Sequence, residues 1–371
     1  LRADKFFGSQ KTSFTPNLDK MIKNGAYFEH TISSSDSTIL SWAGIFTGRY
    51  SFRTGISSER YNKLNNSVTT YFKIFEKAGY HFYSYLPYLS TLVGLFPQFE
   101  NQDSTTLSKN GKNLFDGLGN QILNLLRSNQ MKEPWFFYIH TSDLHYPINV
   151  LDKFSDEKFG KSNYEKQISA MDIWIGKILE EIDIKKTLFV LMSDHGMFIP
   201  AVNEDKININ FEVNAKKQMT ITSFGKLIPK FLNPLKTKIF FKLEERSRQK
   251  RISIIEKSNL KNHQKRNLLW HRSDLDKVLF DDNVNVPLLF YGVDIKPQKI
   301  SQQVRLIDLM PTITELAGIK EIIPEIDGQS LVKLIQGRKM EELPIFLETS
   351  KLIQKKANES IGIRTSQYKY F

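Results

Sequence analysis

The chain is 371 residues long with 40% hydrophobic and 25% charged residues, the balance of a folded globular protein and not of a disordered or fibrous one. It has no Cys, which excludes disulfides, thiolate metal centres and Cys nucleophiles, and no apolar run approaches the roughly eighteen residues of a membrane span. The net charge of +12 is local: 16 Lys and Arg face 3 acids between Lys216 and Arg272, a balance of +13 that leaves the remainder at −1, so nucleic acid is not an expected partner.

In chain order, helix-like and strand-like stretches alternate, which predicts an α/β fold with a mainly parallel sheet. TPNLDKMIKNGAYFEH (15–30) reads as a helix opened by Pro16 and stopped at Gly25. SSSDSTILSWAGIFTGRY (33–50) sets small hydroxyl and acid residues against a short apolar helix. Such residues cap helix N-termini, and on this stretch alone capping is the commoner explanation. A helix N-terminus is also an anion site, where a hydroxyl could attack a bound ester. SVTTYFKIFEKAGYHFYSYL predicts a helix, a stop at Gly79 and an aromatic strand.

PWFFYIHTSD (134–143) and Thr187 to Met192 are continuous apolar runs, as buried parallel strands are. Between them NYEKQISAMDIWIGKILEEI carries apolar residues at 168, 171, 175, 178 and 182, a helical stripe. Asp143 and His145 follow the first strand, Asp194 and His195 the second. Parallel sheets bind ligands beyond the C-terminal ends of their strands, so these are the candidate site residues. From 198 to 270 the rhythm breaks into a basic, aromatic-laced insertion. It reads either as a solvated helical excursion or as an amphipathic element for an anionic membrane surface, through 216–272. Regular α/β resumes with VNVPLLFYGV and a long helix from Leu306.

The Asp194 carboxylate and His195 imidazole could share a divalent cation; the mixed O and N donors suit Zn²⁺ or Mn²⁺ better than Mg²⁺ or Ca²⁺. His145, within SDLHYP, could orient an anionic ester or protonate its leaving group, with a backbone-bonded loop histidine as the plain alternative. His271, where the insertion rejoins the sheet, has a surface histidine as its plain alternative.

Ten short segments then occur in a telling order: LRAD (1–4), TPNLDKM (15–21), IFTGRY (45–50), EKAGY (76–80), SDLHYP (142–147), MSDHG (192–196), NVPLLFYG (285–292), LIDLMPTITELAGI (306–319), DGQSL (327–331) and IGIRTSQYKY (361–370). In this order they resemble the sulfatase family, within the alkaline phosphatase superfamily. The resemblance covers 1–197 and about 271–371 and leaves the insertion unaccounted for.

It implies a three-layer α/β sandwich of alkaline-phosphatase type, with one catalytic domain over 1–371 interrupted by the 198–270 insertion. The family's nucleophile stands nine residues before the Thr of TGRY, which is Thr38 here. One divalent metal ion (Mn, Zn, Mg or Ca) is implied at Thr38, Asp194 and His195. Its remaining ligand would be an Asp ending a strand before Leu1, so the chain is expected to continue at both ends. His145 and, less directly, His271 would serve the ester.

Two departures matter. TILSW lacks the C/S-x-P-x-R pattern of formylglycine maturation, and YLPYLSTLVGLF stands where classical members carry GKWHLG. A Thr at the nucleophile position instead resembles the superfamily's phosphodiesterases and phosphotransferases. The expected function is metal-dependent hydrolysis of a sulfate or phosphate ester on an anionic glycan or lipid, through Thr38. The alternatives are a phosphodiesterase or a phosphoglycerol- or phosphoethanolamine-type transferase at a membrane, and a non-catalytic anion-binding member. A cytoplasmic domain is the default expectation, with membrane association as the alternative.

Overall fold

The structure is a computed structural model and describes residues 1–58, 63–88, 93–106, 113–204, 207–212, 233–269, 275, 277–321, 325–350 and 359–371. Helix α1 (Pro16–Asn24) starts at Pro16, buries Leu18, Met21 and Ile22, and stops at Gly25. A Cβ at Gly25 would lie 2.5 Å from the Phe290 carbonyl, so the chain can pass there only without a side chain. Strand β1 (Ala26–Ile32), α2 (Thr38–Thr47), α3 (Tyr71–Lys77) and β2 (His81–Pro87) follow. Next come α4 (Leu118–Arg127), β3 (Trp135–Ile139), α5 (Asn163–Glu180) and β4 (Leu188–Met192). The insertion contributes a hairpin of β5 (Ala201–Glu204) and β6 (Ile207–Asn210), then α6 (Asn233–Lys257) and α7 (Asn262–Leu269). The chain closes with β7 (Asn285–Gly292), β8 (Gln298–Ile300), β9 (Val304–Arg305), α8 (Leu309–Leu316), β10 (Ile345–Glu348), β11 (Ile361–Arg364) and β12 (Lys369–Tyr370).

The central sheet runs β9–β1–β7–β4, with β8 also on β1. β1 sends Ala26 and Phe28 to one face and Tyr27 to the other; β7 likewise splits Leu288 and Phe290 from Leu289. The first face packs on α2 and α3, the second on α1 and α5, which is the expected three-layer sandwich. The sheet is mixed but mainly parallel, as expected: one of its five strands runs against the other four. β8 and β9 run with β1, whereas β7 runs against both β1 and β4. The cause is where β7 begins. Gly196 N–H donates to the Asn283 carbonyl at 2.7 Å, so the chain enters β7 beside the end of β4 and must run back along it.

A second sheet pairs β2 with β3 in parallel, Phe82 opposite Phe136. Among the described residues β3 pairs only with β2, and β4 only with β7. Both strands border one cavity of about 370 Å³, walled by Phe137, Ile139, Phe189 and Leu191. Every residue of the two strands is therefore half-buried, where full burial was expected. The expected long helix from Leu306 is also shorter: Leu306–Asp308 form a 3₁₀ turn held by the Arg305–Asp308 ion pair, and α8 ends before Gly318 (φ +72°).

Strands β10 to β12 form an antiparallel sheet pinned to the body by Asp281, which bridges Arg364 and Lys369. In the insertion, Ile255, Leu260 and Leu268 bury a small core with Val202 of the hairpin. Much of the basic stretch 216–272 lies outside the described residues. Among those described, no helix is long and apolar enough to cross a membrane.

Candidate active site

α2 enters the site because its sequence leaves it no other place. Ile39, Leu40, Trp42, Ala43, Ile45 and Phe46 are all buried, so the helix threads the core and presents only its first turn to the cavity. Ser37 takes the extended N-cap backbone (φ −138°, ψ 147°), yet its side chain makes no capping hydrogen bond. Its Oγ is buried without a partner, while Ser33 Oγ pairs with Ser41 Oγ at 2.8 Å. Asp36 accepts the Ser350 N–H at 3.2 Å. The capping explanation of this serine-rich run is thus overturned. Ser37 gives the first turn of α2 no side-chain cap, and a helix N-terminus of this kind can receive an anion.

Thr38 is the first residue of α2, and its Oγ1 lies 3.2 Å from His195 Nε2. The opposite ring nitrogen, His195 Nδ1, lies 2.7 Å from the Gly196 carbonyl. A carbonyl can only accept, so Nδ1 holds the proton and Nε2 presents its lone pair toward Thr38. This geometry needs Gly196, where a Cβ would fall 2.2 Å from the Asp282 carbonyl.

Asp194 Oδ1 accepts the His195 N–H at 2.9 Å. Its Oδ2 is buried without a hydrogen-bond partner and lies 3.7 Å from His195 Nε2. Burial alone would push this carboxyl up. His195, His140 and the Thr38 hydroxyl beside it outweigh this and hold Asp194 far below the usual carboxylate range. The side chain therefore stays ionised at every working pH. A buried, ionised oxygen lacking a donor, beside an imidazole lone pair and a hydroxyl, is a donor set that fits a divalent cation. No three His, Asp or Glu side chains converge on a metal position among the described residues. Thr38, Asp194 and His195 are thus an incomplete ligand set by themselves.

His145 lines the same cavity as Thr38, Asp194 and His195, and is exposed. Its Nδ1 is 3.0 Å from the Tyr146 carbonyl, which fixes the proton on Nδ1 and leaves Nε2 to the cavity side. His271 lies outside the described residues. One residue escaped the sequence reading. His140, the residue after β3, lines the cavity and packs edge-on against Trp42, centroids 4.9 Å apart. Burial pushes its pKa down, partly offset by Asp194. The same logic that singled out Asp194, a polar residue closing an apolar strand, would have found it.

The three-layer α/β body shares its fold with a solved protein of the alkaline phosphatase superfamily from Vibrio parahaemolyticus (TM-score 0.54, 17% identity, 98% of this chain and 72% of that one). The Sulfatase family model matches residues 4–319, and the chain belongs to that family. It is similar to the phosphonate monoester hydrolase of Agrobacterium radiobacter (TM-score 0.66, 13% identity, 100% of this chain and 84% of that one). It is also similar to a 2-O GAG sulfatase (TM-score 0.64, 15% identity, 99% and 79%). At these identities the likeness is one of fold. A 68-residue stretch is 39% identical to arylsulfatase K of Xenopus laevis, spanning 18% of this chain and 12% of that protein.

Proposed function

We propose that the chain is a single catalytic domain that cleaves a sulfate or phosphate ester through a covalent Thr38 intermediate. The observation that carries this is the 3.2 Å approach of Thr38 Oγ1 to His195 Nε2 at the uncapped start of α2. In the proposed step, Thr38 Oγ1 attacks the central sulfur or phosphorus and the bond to the leaving oxygen breaks. His195 Nε2 is the base in reach of the hydroxyl proton. His145 Nε2–H, in the imidazolium form, protonates the departing alkoxide. Negative charge on the ester's other oxygens faces the first-turn N–H groups of α2. Water then cleaves the Thr38 ester and restores the hydroxyl.

A divalent cation held by Asp194 Oδ2, Thr38 Oγ1 and His195 Nε2 would take the place of His195 as base: it would supply Lewis-acid ionisation of the hydroxyl, whose proton would then leave to solvent, with Zn²⁺ or Mn²⁺ favoured by the donor set. The substrate is proposed to be an anionic ester on a glycan or lipid. Family membership supports sulfate or phosphate ester hydrolysis as the reaction class, and the neighbour named as a GAG sulfatase favours a glycan.

The test is a panel of aryl sulfate, aryl phosphate monoester and aryl phosphodiester, assayed with each of Mn²⁺, Zn²⁺, Mg²⁺ and Ca²⁺. At least one ester should turn over, and Thr38→Ala should abolish that turnover. Undiminished turnover in Thr38→Ala would overturn the proposal. Turnover of the diester alone would move it to a phosphodiesterase or transferase.

A further inference from the structure

Away from the reacting groups, one carboxylate gathers four donors from three parts of the chain. Glu212 follows β6, and its two oxygens accept Asn163 N–H (2.8 Å), Tyr164 N–H (3.1 Å), Asn210 Nδ2 (3.1 Å) and the Tyr146 hydroxyl (3.1 Å). The first two belong to the start of α5. That helix already has its own cap: Ser162 accepts Glu165 N–H, and Glu165 accepts the Ser162 N–H in return. Glu212 completes that cap by taking the two first-turn N–H groups, Asn163 and Tyr164, that the capping box leaves. Its own N–H donates to Asn210 Oδ1 at 2.7 Å, which fixes the direction of the carboxylate.

The fourth donor gives this arrangement its use. Tyr146 is the neighbour of His145, and its carbonyl is the acceptor that fixes the His145 Nδ1 proton. The Tyr146 ring packs in the apolar cluster of Ile148 and Tyr164. Burial, and the Glu212 charge beside it, push the phenol pKa far up, so its hydroxyl is always a donor. One bond from Glu212 thus sets the tilt of the Tyr146 ring, and the Tyr146 backbone sets the imidazole.

We propose that Glu212 is a positioning residue for His145: through the Tyr146 hydroxyl it ties the root of the basic insertion to the loop that protonates the leaving group. This rests on the proposed role of His145. Tyr146→Phe removes only the hydroxyl, and Glu212→Gln keeps one acceptor oxygen without the charge. Each should cost about tenfold in kcat on an alkyl ester, whose leaving group must be protonated, and almost nothing on a nitrophenyl ester, whose leaving group need not be. In a His145→Ala background neither should cost anything further. Ser162→Ala, which weakens the α5 start alone, should leave the ratio of the two esters unchanged.

Equal losses on both esters, or losses that persist without His145, would overturn the inference. A second readout separates it from failure of the proposed chemistry. In ¹³C-labelled protein, Tyr146→Phe should move the imidazole resonances of His145 and leave those of His195 in place. An unmoved His145 signal sinks the coupling, whatever esters the wild type cleaves.

Discussion

Asp143 should make the protein less stable as pH rises from acid to neutral, and Asp143→Asn should remove that loss. The side chain is only 3% exposed. Leu114 N–H donates to its Oδ2 at 3.0 Å and Gln167 Nε2 to its Oδ1 at 2.9 Å, but no cation among the described residues pairs with it. Burial outweighs these bonds and lifts its pKa from 3.8 to about 6. The folded state therefore keeps a proton that the unfolded chain has already released. Stability from this group is fully present below pH 3.8 and is lost as pH climbs through about 6. The lift is worth about 3 kcal/mol at neutral pH.

Asn keeps an acceptor for Leu114, and rotation of the Gln167 amide restores the second bond, at a cost of about 1 kcal/mol for imperfect geometry. Asp143→Asn should then be about 2 kcal/mol more stable than wild type at pH 7.5 and equal or slightly less stable at pH 4. Urea unfolding of both proteins across that range isolates the site, because every other carboxylate cancels in the difference. A difference that stays flat or falls with rising pH would refute the assigned burial of the charge.

Other substitutions read other parts of the account. Gly196→Ala, forcing a Cβ to 2.2 Å from the Asp282 carbonyl, should displace the Asp194–His195 turn, lowering stability by about 3 kcal/mol and abolishing turnover; differential scanning calorimetry and the ester assay check the two effects. Arg305→Met removes the buried partner of Asp308, whose carboxyl burial already pushes up, and should cost about 3–5 kcal/mol at pH 7 by urea unfolding. The loss should shrink toward pH 5, where the stranded carboxyl can take up a proton.

What the sequence makes legible here is governed by periodicity and by punctuation. Apolar runs that stop at polar residues mark β3 and β4, and their ends hold Asp194, His195 and His145. The apolar stretch after Thr38 marks α2, and only the structure shows that Ser37 does not cap it, because a cap is a matter of where one Oγ points. The antiparallel β7 is not legible: its apolar run is the same whichever way it lies, and its direction follows from a backbone bond at Gly196. The half-burial of β3 and β4 escapes for a related reason, since apolar composition does not say whether a strand edge is paired. Glu212 is invisible in the sequence because the partners that give it a role, Asn163, Tyr164 and Tyr146, lie 48 to 66 residues away.

The most direct test of the central claim is rapid-quench mass spectrometry of the peptide that contains Thr38, taken from protein mixed with an ester it turns over. A sulfuryl or phosphoryl group on Thr38 that forms and decays at the rate of turnover is the predicted result. Turnover at full rate with Thr38 unmodified throughout would contradict the account, and would leave the Thr38–His195 contact as a structural hydrogen bond.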